Sequence, residues 1–383
     1  MKLEKLIVRK YSFMSLGVTF PISLSLLLGE NNMPKTTSKI LIASAALAIL
    51  ISAGTAKPIN AAEFNLRMHS FIPPVANPAK TWLIPWAKKI NKASGGRINV
   101  KTFWKMQLGG KPQALLDQVR DGVVDIVWTL PGFTTGRMPR AEIFELPFLH
   151  KDALSTTLAL QDYKDKHLGK ETSDFHVLLM HVHAGVLFMT KKPIRKMSDL
   201  KGMKMRGANR TSVLLLQALG ADGIATPLGR IPPMLSKGVI DGVLLPYEIA
   251  PAVKMHELGK YFTDLAAPAR RMNTAVFTFL MNKKSYAKLP ADMKKVIDNN
   301  SGRNIAAAAG KHWEALEAPS KRVMKSKKKN KFSTLSATES DKIRKVAEAV
   351  YSKVVSELKS KHGINNGQQL IDDARAMIAK YSK

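Results

Sequence analysis

The stretch Leu200–Ala221, LKGMKMRGANRTSVLLLQALGA, carries a strand-turn-helix pattern from which the fold of this chain can be predicted. A short β-like segment, Met203–Arg206, leads through a turn of small residues into an apolar helix. This order places Arg206 at the carboxyl end of a strand, which is the edge where open α/β sheets bind ligands. Asn209 is placed to cap the helix and to hydrogen-bond the same ligand. The stretch predicts an anion site at Arg206, although a structural ion pair also fits a lone Arg at this position.

The chain before this stretch alternates strands with helices. Its strand-like segments are Glu63–His69, Arg97–Phe103 and Val123–Thr129. Between them, one helix is predicted to begin at Pro78 and another to cover Pro112–Asp121. The third segment is almost wholly apolar, as in strands that are covered on both faces. This pattern predicts an α/β fold with a mostly parallel sheet flanked by helices.

The second half of the chain continues the alternation. Its predicted strands are His176–His183, Gly185–Thr190, Gly223–Thr226, Ile240–Leu244 and Asn273–Met281. Its predicted helices are 210–219, Pro246–Lys260, Pro290–Pro319, Ala337–Lys359 and 366–380. We expect Pro251 to kink the second of these helices. The second half therefore predicts further strands and helices of the same α/β kind.

Several short motifs in a fixed order resemble the solute-binding proteins of tripartite ATP-independent periplasmic (TRAP) transporters, of the DctP-like family. One of them is D-L-K-G-x-K-x-R, which ends at Arg206. The others are SGGRINV (Ser94–Val100), QLGG (Gln107–Gly110), DGVVD (Asp121–Asp125), FELPF (Phe144–Phe148), VIDG (Val239–Gly242) and NKKSYAKLP (Asn282–Pro290). Because their order and spacing hold along the chain, it is identified as a member of this family.

The resemblance implies a two-lobed periplasmic binding protein fold with mixed, mostly parallel sheets. Lobe I is expected to contain residues 63–183 and 272–311, and lobe II residues 184–271 and 312–383. The resemblance also implies strands that cross between the lobes and one long helix, Pro290–Pro319, that spans both. We expect the two lobes to close on a ligand like a hinge.

The amino-terminal region has the pattern of a secretion signal. In residues 33–62, two lysines precede the apolar run Ile40–Ile51, and small residues that offer cleavage sites follow it. A permanent membrane anchor is the alternative, but a span needs roughly 20 apolar residues and this run is shorter. Residues 1–32 are interpreted as an over-long start or leader, with Met33 as the true start. The mature protein is thus expected in the periplasm without a membrane-spanning segment.

Composition narrows the function classes. The chain has no Cys, which excludes disulfides, thiolate metal sites and a lipid-modified Cys. Its net charge is +31, and residues 1–61 hold seven of the 60 basic and two of the 29 acidic residues, which leaves +26. Such a surface attracts polyanions, so a periplasmic polyanion-binding protein is one alternative function. The basic run Lys321–Lys331 lacks interleaved aromatic residues and is interpreted as a solvated loop between helices, not a nucleic-acid site.

The resemblance implies that Arg206 binds the substrate carboxylate. The strand Gly185–Thr190 lacks the second Arg that many family members carry, and Val243–Leu245 replaces a polar pair. One cation in apolar surroundings favours a hydrophobic or aromatic monocarboxylate. The predicted apolar wall consists of Phe71, Trp128, Leu130, Leu187, Leu244 and Tyr247. The predicted polar contacts are Asn209, His69, Asn273 and Arg230, the last as an optional second cation.

No constellation of catalytic residues is recognisable, and no cofactor or metal is expected. His181 and His183 share a strand face but lack a third ligand at a telling spacing, so both are interpreted as structural. The predicted function is capture of a small organic acid for a TRAP permease, its membrane partner. A short dicarboxylate or keto acid held through Arg230 is the alternative ligand, and a periplasmic enzyme is an alternative class that a titratable pair beside Arg206 would support.

Overall fold

Two β-sheets form the framework of the protein in this computed structural model, which describes residues 62–268 and 271–382. The strands of the described residues are β1 (Phe64–Ser70), β2 (Ile98–Phe103), β3 (Ile126–Thr129), β4 (Phe175–Val182), β5 (Leu187–Thr190), β6 (Lys204–Gly207), β7 (Asp222–Ala225), β8 (Gly242–Leu245), β9 (Tyr261–Asp264), β10 (Val276–Asn282) and β11 (Lys331–Thr334). The predicted leader and nearly all of the predicted signal peptide lie outside the described residues.

Helices cover the faces of both sheets. The α-helices of the described residues are α1 (Ile84–Ala93), α2 (Leu115–Arg120), α3 (Ala153–His167), α4 (Gly169–Thr172), α5 (Arg210–Ala218), α6 (Ile231–Ser236), α7 (Met255–Leu258), α8 (Lys283–Ala287), α9 (Ala291–Asn299), α10 (Arg303–Ala315), α11 (Glu317–Lys325), α12 (Ala337–His362) and α13 (Gly367–Tyr381). None of the helices in these parts of the chain has the length and hydropathy that crossing a bilayer requires.

Both sheets are mixed. The first has the order β2-β1-β3-β10-β4, in which β1 pairs in parallel with β2 and β3 while β10 runs antiparallel to β3 and β4. The second has the order β11-β9-β5-β8-β6-β7, in which only β5 runs antiparallel to both of its neighbours. The predicted α/β class with mixed sheets flanked by helices is confirmed. The lobe boundaries stay a prediction.

Two of the chain segments that connect the sheets follow β4 and β9. Residues 183–186 lead from β4 to β5, and residues 265–275 lead from β9 to β10. The segments are hydrogen-bonded to each other, since Val186 N–H donates to Asn273 O (2.9 Å) and Met272 N–H donates to Val186 O (3.3 Å). Hinge closure at this pair of segments stays a prediction.

The predicted long helix Pro290–Pro319 is wrong in its bounds. It is interrupted between α9 and α10, where Gly302 has a φ of +54° that a helix cannot continue through. The helical run then extends past Pro319. This proline lies in the first turn of α11, where backbone N–H groups have no partner within the helix, so its missing N–H costs no helical hydrogen bond. Helix α10 packs on α3 and β4, whereas α11 packs on the turn Tyr247–Val253 and on α7, so α10 and α11 together link the two sheets.

The carboxyl-terminal helices cover both sheets. Helix α12 packs on α5, which itself covers β6 and β7. Helix α13 packs on α3 beside the first sheet, where Asp373 pairs with Lys166 (2.8 Å) and Lys380 pairs with Asp162 (2.9 Å).

The basic run Lys321–Lys331 is a loop only in its middle, because it begins in α11 and ends in β11.

Candidate functional site

A cavity lies between the two sheets. The side of the first sheet contributes Phe71, Ile72, Trp128, Leu130, Phe133, Ala275 and Phe277. The connecting segment contributes His183 and Val186. The side of the second sheet contributes Arg206, Ala208, Leu228, Leu244, Leu245, Pro246, Glu248 and Ile249. A mostly apolar cavity with a few polar groups is typical of a small-molecule site.

The local fold holds Arg206 at the wall of this cavity. Strand β6 lies between β7 and β8, with Arg206 opposite Ile224 and Val243. Helix α5 follows at once, and the Asn209 side chain caps it by accepting a hydrogen bond from Ser212 N–H (2.9 Å). The turn is tight, since a Cβ on Gly207 would lie 2.8 Å from the Cβ of Ser212. Glycine is therefore required for α5 to begin directly behind Arg206.

Arg206 is a buried cation without an acidic partner. Its side chain is 2% exposed, and its Nε donates to Thr226 O at 2.9 Å. No Asp or Glu of residues 62–268 or 271–382 forms an ion pair with it. Burial lowers the pKa of Arg206 to about 9. Because an unpaired buried charge is unfavourable, the cavity is electrostatically complementary to one anionic group.

His183 adds a neutral hydrogen-bond donor to the same cavity. Its Nδ1 accepts a hydrogen bond from Gly185 N–H (2.9 Å), which places the proton of the neutral ring on Nε2. Burial, reinforced by the positive charges of neighbouring His and Arg groups, holds the pKa of His183 well below its usual value. The ring thus stays neutral at neutral pH and offers Nε2–H to an acceptor in the cavity.

Aromatic rings form much of the wall on the side of the first sheet. The Trp128 ring stacks on Phe277, with ring centroids 4.5 Å apart, and on Phe71, with centroids 5.6 Å apart. Phe133 meets Phe71 edge-on at 4.9 Å. A hydrogen bond also orients the Trp128 ring, because its Nε1–H donates to His181 Nε2 at 2.9 Å. These contacts hold the aromatic rings of the wall against one another.

Five predicted site residues line the cavity together, namely Arg206, Phe71, Trp128, Leu130 and Leu244. Arg230 does not line it. This residue lies in an outer pocket, called here the vestibule, which shares Phe71 and Leu228 with the cavity and also contains Lys105 and Lys111. A role for each of these residues in ligand binding stays a prediction.

The structure places the other five predicted residues away from the cavity lining. Leu187 and Tyr247 are buried in the apolar core beside it. His69 uses both ring nitrogens, with Gln118 Oε1 at 2.8 Å and Leu108 N at 3.3 Å. Asn209 caps α5, and Asn273 donates to Glu145 O (3.2 Å) and Ser212 Oγ (3.1 Å). Hydrogen bonds within the protein therefore satisfy much of the donor and acceptor capacity of His69, Asn209 and Asn273.

Two polar residues of the lining were missed by the sequence reasoning. His183 was interpreted as structural, and Glu248 was not considered. The signal for Glu248 was a single acid within the apolar stretch LLPYEIAPAV, Leu244–Val253. For His183 the signal was its place at the end of β4, where the chain leaves the first sheet. Within the described residues no group of three or more His, Asp and Glu side chains could hold a metal ion.

A buried carboxyl group behind the site gives a pH-dependent contribution to stability. Glu145 accepts from Val276 N–H (2.9 Å), and burial, followed by the charge of Glu142, raises the pKa of Glu145 to about 8. The folded state thus keeps a proton that the unfolded state loses above about pH 4.5. This contribution is complete below that pH and is lost as the pH rises toward 8.

We expect the substitution Glu145→Gln to remove this loss. Between about pH 5 and pH 8, the free energy of unfolding of the wild type should fall relative to the variant by up to about 1.4 kcal/mol per pH unit. Urea unfolding of both proteins at several pH values measures this difference, in which the other titrating groups cancel. A difference that does not change with pH would mean that Glu145 is ionised in the folded protein.

Comparison with known proteins identifies the family. The sequence profile described as bacterial extracellular solute-binding protein, family 7, matches residues 71–358. The chain belongs to this family. The family 7 protein is also similar to a curated relative, the outer membrane transporter protein TsaT of Comamonas testosteroni. The two are 29% identical over 255 residues, which cover 66% of this chain and 74% of TsaT.

Solved structures extend the comparison of the family 7 protein. A marine metagenome TRAP solute-binding protein specific for aromatic acid ligands, from an unidentified microbe, is 40% identical with a TM-score of 0.81, covering 84% of this chain and all of that one. It was solved with 3-hydroxybenzoate and, as a triple surface mutant, with metahydroxyphenylacetate. A TRAP solute-binding protein of Rhodoferax ferrireducens with copurified benzoate is 40% identical with a TM-score of 0.80, covering 83% and 98% of the chains.

These similarities confirm the predicted family and the two-lobed fold of TRAP solute-binding proteins. The family 7 protein is therefore a solute-binding component of transport, and the two relatives named above were solved with aromatic acids bound.

Proposed function

We propose that this family 7 protein captures an aromatic monocarboxylate in the periplasm and delivers it to the membrane subunits of a TRAP permease. The observation that carries the proposal is the buried guanidinium of Arg206, which has no acidic partner among the described residues and lies in a cavity walled by aromatic rings. The ligands of the similar structures, 3-hydroxybenzoate and benzoate, support the same ligand class.

The ligand carboxylate supplies the counterion that the protein does not provide. A guanidinium fork binds a carboxylate through two parallel charge-assisted hydrogen bonds, which lysine cannot reproduce. In the proposed complex Nε2–H of His183 adds a third, neutral donor. With one unpaired cation in the lining, the site neutralises one negative charge, and this disfavours a short dicarboxylate.

The ligand ring contacts the aromatic wall on the other side of the cavity. Phe71, Trp128 and Phe277 belong to the side of the first sheet, whereas Arg206 lies on the second. One small ligand thus contacts groups on both sides, and its binding favours the conformation in which the sides lie together. This mechanism involves no covalent step and no proton transfer, although two titratable groups, His183 and Glu248, line the cavity beside Arg206. In the proposed transport cycle the closed, filled form is the one that the permease receives.

A thermal-shift and calorimetric screen of the purified protein tests the proposal. Benzoate, hydroxybenzoates and phenylacetate should stabilise the protein, by about 2.7 kcal/mol at a concentration of 100 times the dissociation constant. Benzamide has the same ring without the charge and serves as the matched control, which should give no shift. Tighter binding of succinate, pyruvate or heparin than of every aromatic acid would overturn the proposed ligand class.

The vestibule is expected to accelerate capture. Lys105, Lys111 and Arg230 line it, and a pocket lined with charges of one sign raises the encounter rate of an oppositely charged ligand. We expect the triple substitution of these residues by glutamine to lower the association rate several-fold at an ionic strength of roughly 0.01 M and much less at 0.1 M, where the Debye length is about 10 Å.

Stopped-flow fluorescence of the buried tryptophans measures both rate constants. Dissociation should change little, because the vestibule lies outside the cavity. Glutamine at Lys88, Lys89 and Lys92, three lysines on α1, lowers the net charge equally and is the matched control. An equal slowing in both triple variants would assign the effect to net charge and not to the vestibule.

A further inference from the structure

Glu248 is a buried acid in the cavity whose carboxyl group has no partner. The residue is 2% exposed and lies in the turn that follows β8. Its Oε2 is enclosed by protein, and neither carboxyl oxygen has a hydrogen bond or ion pair with the described residues. Buried polar groups are nearly always satisfied, so a carboxyl group in this state at the wall of a cavity indicates a missing partner.

The backbone of Glu248 is held firmly in place. Its N–H donates to Glu317 Oε1 (3.0 Å), and its carbonyl oxygen accepts from Asn77 Nδ2 (2.8 Å). Glu317 is in turn paired with Arg271 (3.0 Å). These contacts fix where the side chain begins without using its carboxyl group. The geometry is that of a group positioned for an interaction that the protein itself does not make.

The surroundings of Glu248 favour the uncharged form of its carboxyl group. Burial, followed by the negative charge of Glu317, raises the pKa of Glu248 well above its usual value. A protonated carboxyl group offers one O–H donor and retains an acceptor. It does not repel the ligand carboxylate bound at Arg206, so an anionic ligand and Glu248 can occupy the cavity together.

We infer that Glu248 recognises a hydroxyl group on the ring of the ligand and thereby selects hydroxylated aromatic acids over unsubstituted ones. This inference rests on the proposed function, in which Arg206 holds the carboxylate of the same ligand. A hydroxyl group both donates and accepts, which matches a protonated carboxyl group. A second carboxylate would find no further unpaired cation in the lining, and an ammonium group would meet the positive charge of Arg206.

An unsubstituted ring would leave the Glu248 carboxyl group without a partner. Leaving a buried polar group unsatisfied costs roughly 1–3 kcal/mol, which corresponds to about 5-fold to 150-fold in affinity. The difference applies only to a hydroxyl group at the ring position that reaches Glu248. One positional isomer is therefore expected to bind more tightly than benzoate and than the other isomers.

Calorimetry with benzoate and with 2-, 3- and 4-hydroxybenzoate tests the inference on the wild type and on the variants Glu248→Met and Glu248→Gln. We expect the wild type to prefer one isomer over benzoate by about tenfold. In Glu248→Met this ratio should fall to within about threefold, because methionine fills a similar volume without donating or accepting. Glu248→Gln should retain part of the preference, since an amide both donates and accepts. Glu145→Gln replaces a buried acid outside the lining and should keep the full ratio.

Each outcome separates the inference from the function on which it rests. Binding of none of the four acids to the wild type would overturn the proposed function and this inference with it. Binding of benzoate and all three isomers with equal affinity would overturn the inference alone. An isomer preference that survives in Glu248→Met would also overturn the inference alone. So would a loss of the preference in Glu145→Gln that is as complete as the loss in Glu248→Met. Should Glu248→Met fail to fold, the ratio in Glu248→Gln decides, and an undiminished ratio there argues against recognition through the carboxyl group.

Discussion

The substitution Arg206→Met is expected to weaken binding of the best aromatic acid by about 30-fold to several thousand-fold, since removing one partner of a buried charge pair costs roughly 2–5 kcal/mol. The ligand carboxylate would then be buried beside His183 and apolar groups, with no charge to balance its own. Isothermal titration calorimetry with benzoate measures the loss. Because methionine approximates the length of the arginine side chain, the cavity keeps its shape.

The same substitution should not destabilise the ligand-free protein. Arg206 is buried and makes one hydrogen bond, through Nε to Thr226, and the lowered pKa reflects the cost of burying its charge. Replacing buried charged groups by apolar ones of similar volume is often neutral or stabilising. We therefore expect the melting temperature of Arg206→Met without ligand to equal or exceed that of the wild type. A large decrease would show that Arg206 is structural.

Two further variants sharpen the test of Arg206. Arg206→Lys keeps a positive charge but loses the fork, and its affinity should fall between those of the wild type and Arg206→Met. Arg230→Met removes an arginine of the vestibule and should change the equilibrium affinity by less than about threefold. Undiminished binding by Arg206→Met would remove Arg206 from the ligand site.

The substitution Gly310→Ala is expected to lower the free energy of unfolding by about 1–3 kcal/mol. Alanine favours helices over glycine by about 1 kcal/mol, so the sign depends on packing. A Cβ on Gly310 would lie 2.5 Å from Leu154 Cα and 2.8 Å from Ala153 O, which are backbone atoms of α3. Backbone cannot yield as a flexible side chain does, and Glu314 Oε2 accepts from Ala153 N–H at 3.0 Å in the same interface. Urea unfolding measures the change.

Gly229→Ala is the matched control for this substitution. A Cβ there meets no atom within 4 Å, and the residue is exposed in a short turn. Its effect on the free energy of unfolding should stay within about 0.5 kcal/mol. A Gly310→Ala variant as stable as the control would contradict this prediction. It would mean that α10 and α3 can move apart without lowering the free energy of unfolding.

Periodicity and strand ends predicted the α/β class and the positions of several site residues, whereas the two-lobed fold and the ligand role of Arg206 came from the family resemblance. The position of Arg206 followed from a strand that runs into a capped helix, which is local information in Met203–Asn209. Trp128 and Leu130 followed in the same way from the end of β3. The carboxyl end of a strand is a place where open sheets bind ligands, so each of these positions needs no knowledge of the rest of the fold. Their proximity does need it, because β3 and β6 belong to different sheets that meet at the cavity.

Features set by tertiary contacts were not predictable in this way. Strands β9 and β11 have four residues each and pair with one another, and neither sequence alone has a strong strand pattern. The break at Gly302 depends on a backbone conformation that many glycines in helices do not adopt. His183 and Glu248 line the cavity through tertiary contacts, and residue type alone does not reveal which polar groups are already satisfied.

Arg206, which has no acidic partner in the part of the chain that the structure describes, also has a consequence for the empty protein. A fixed positive charge in a crevice of low polarity attracts whatever small anion the solvent contains, such as chloride, acetate or formate. In ordinary buffers the physiological ligand would then displace a weaker occupant instead of entering a vacant space. Apparent affinities measured in different salts would accordingly describe exchange equilibria, each with its own reference ion.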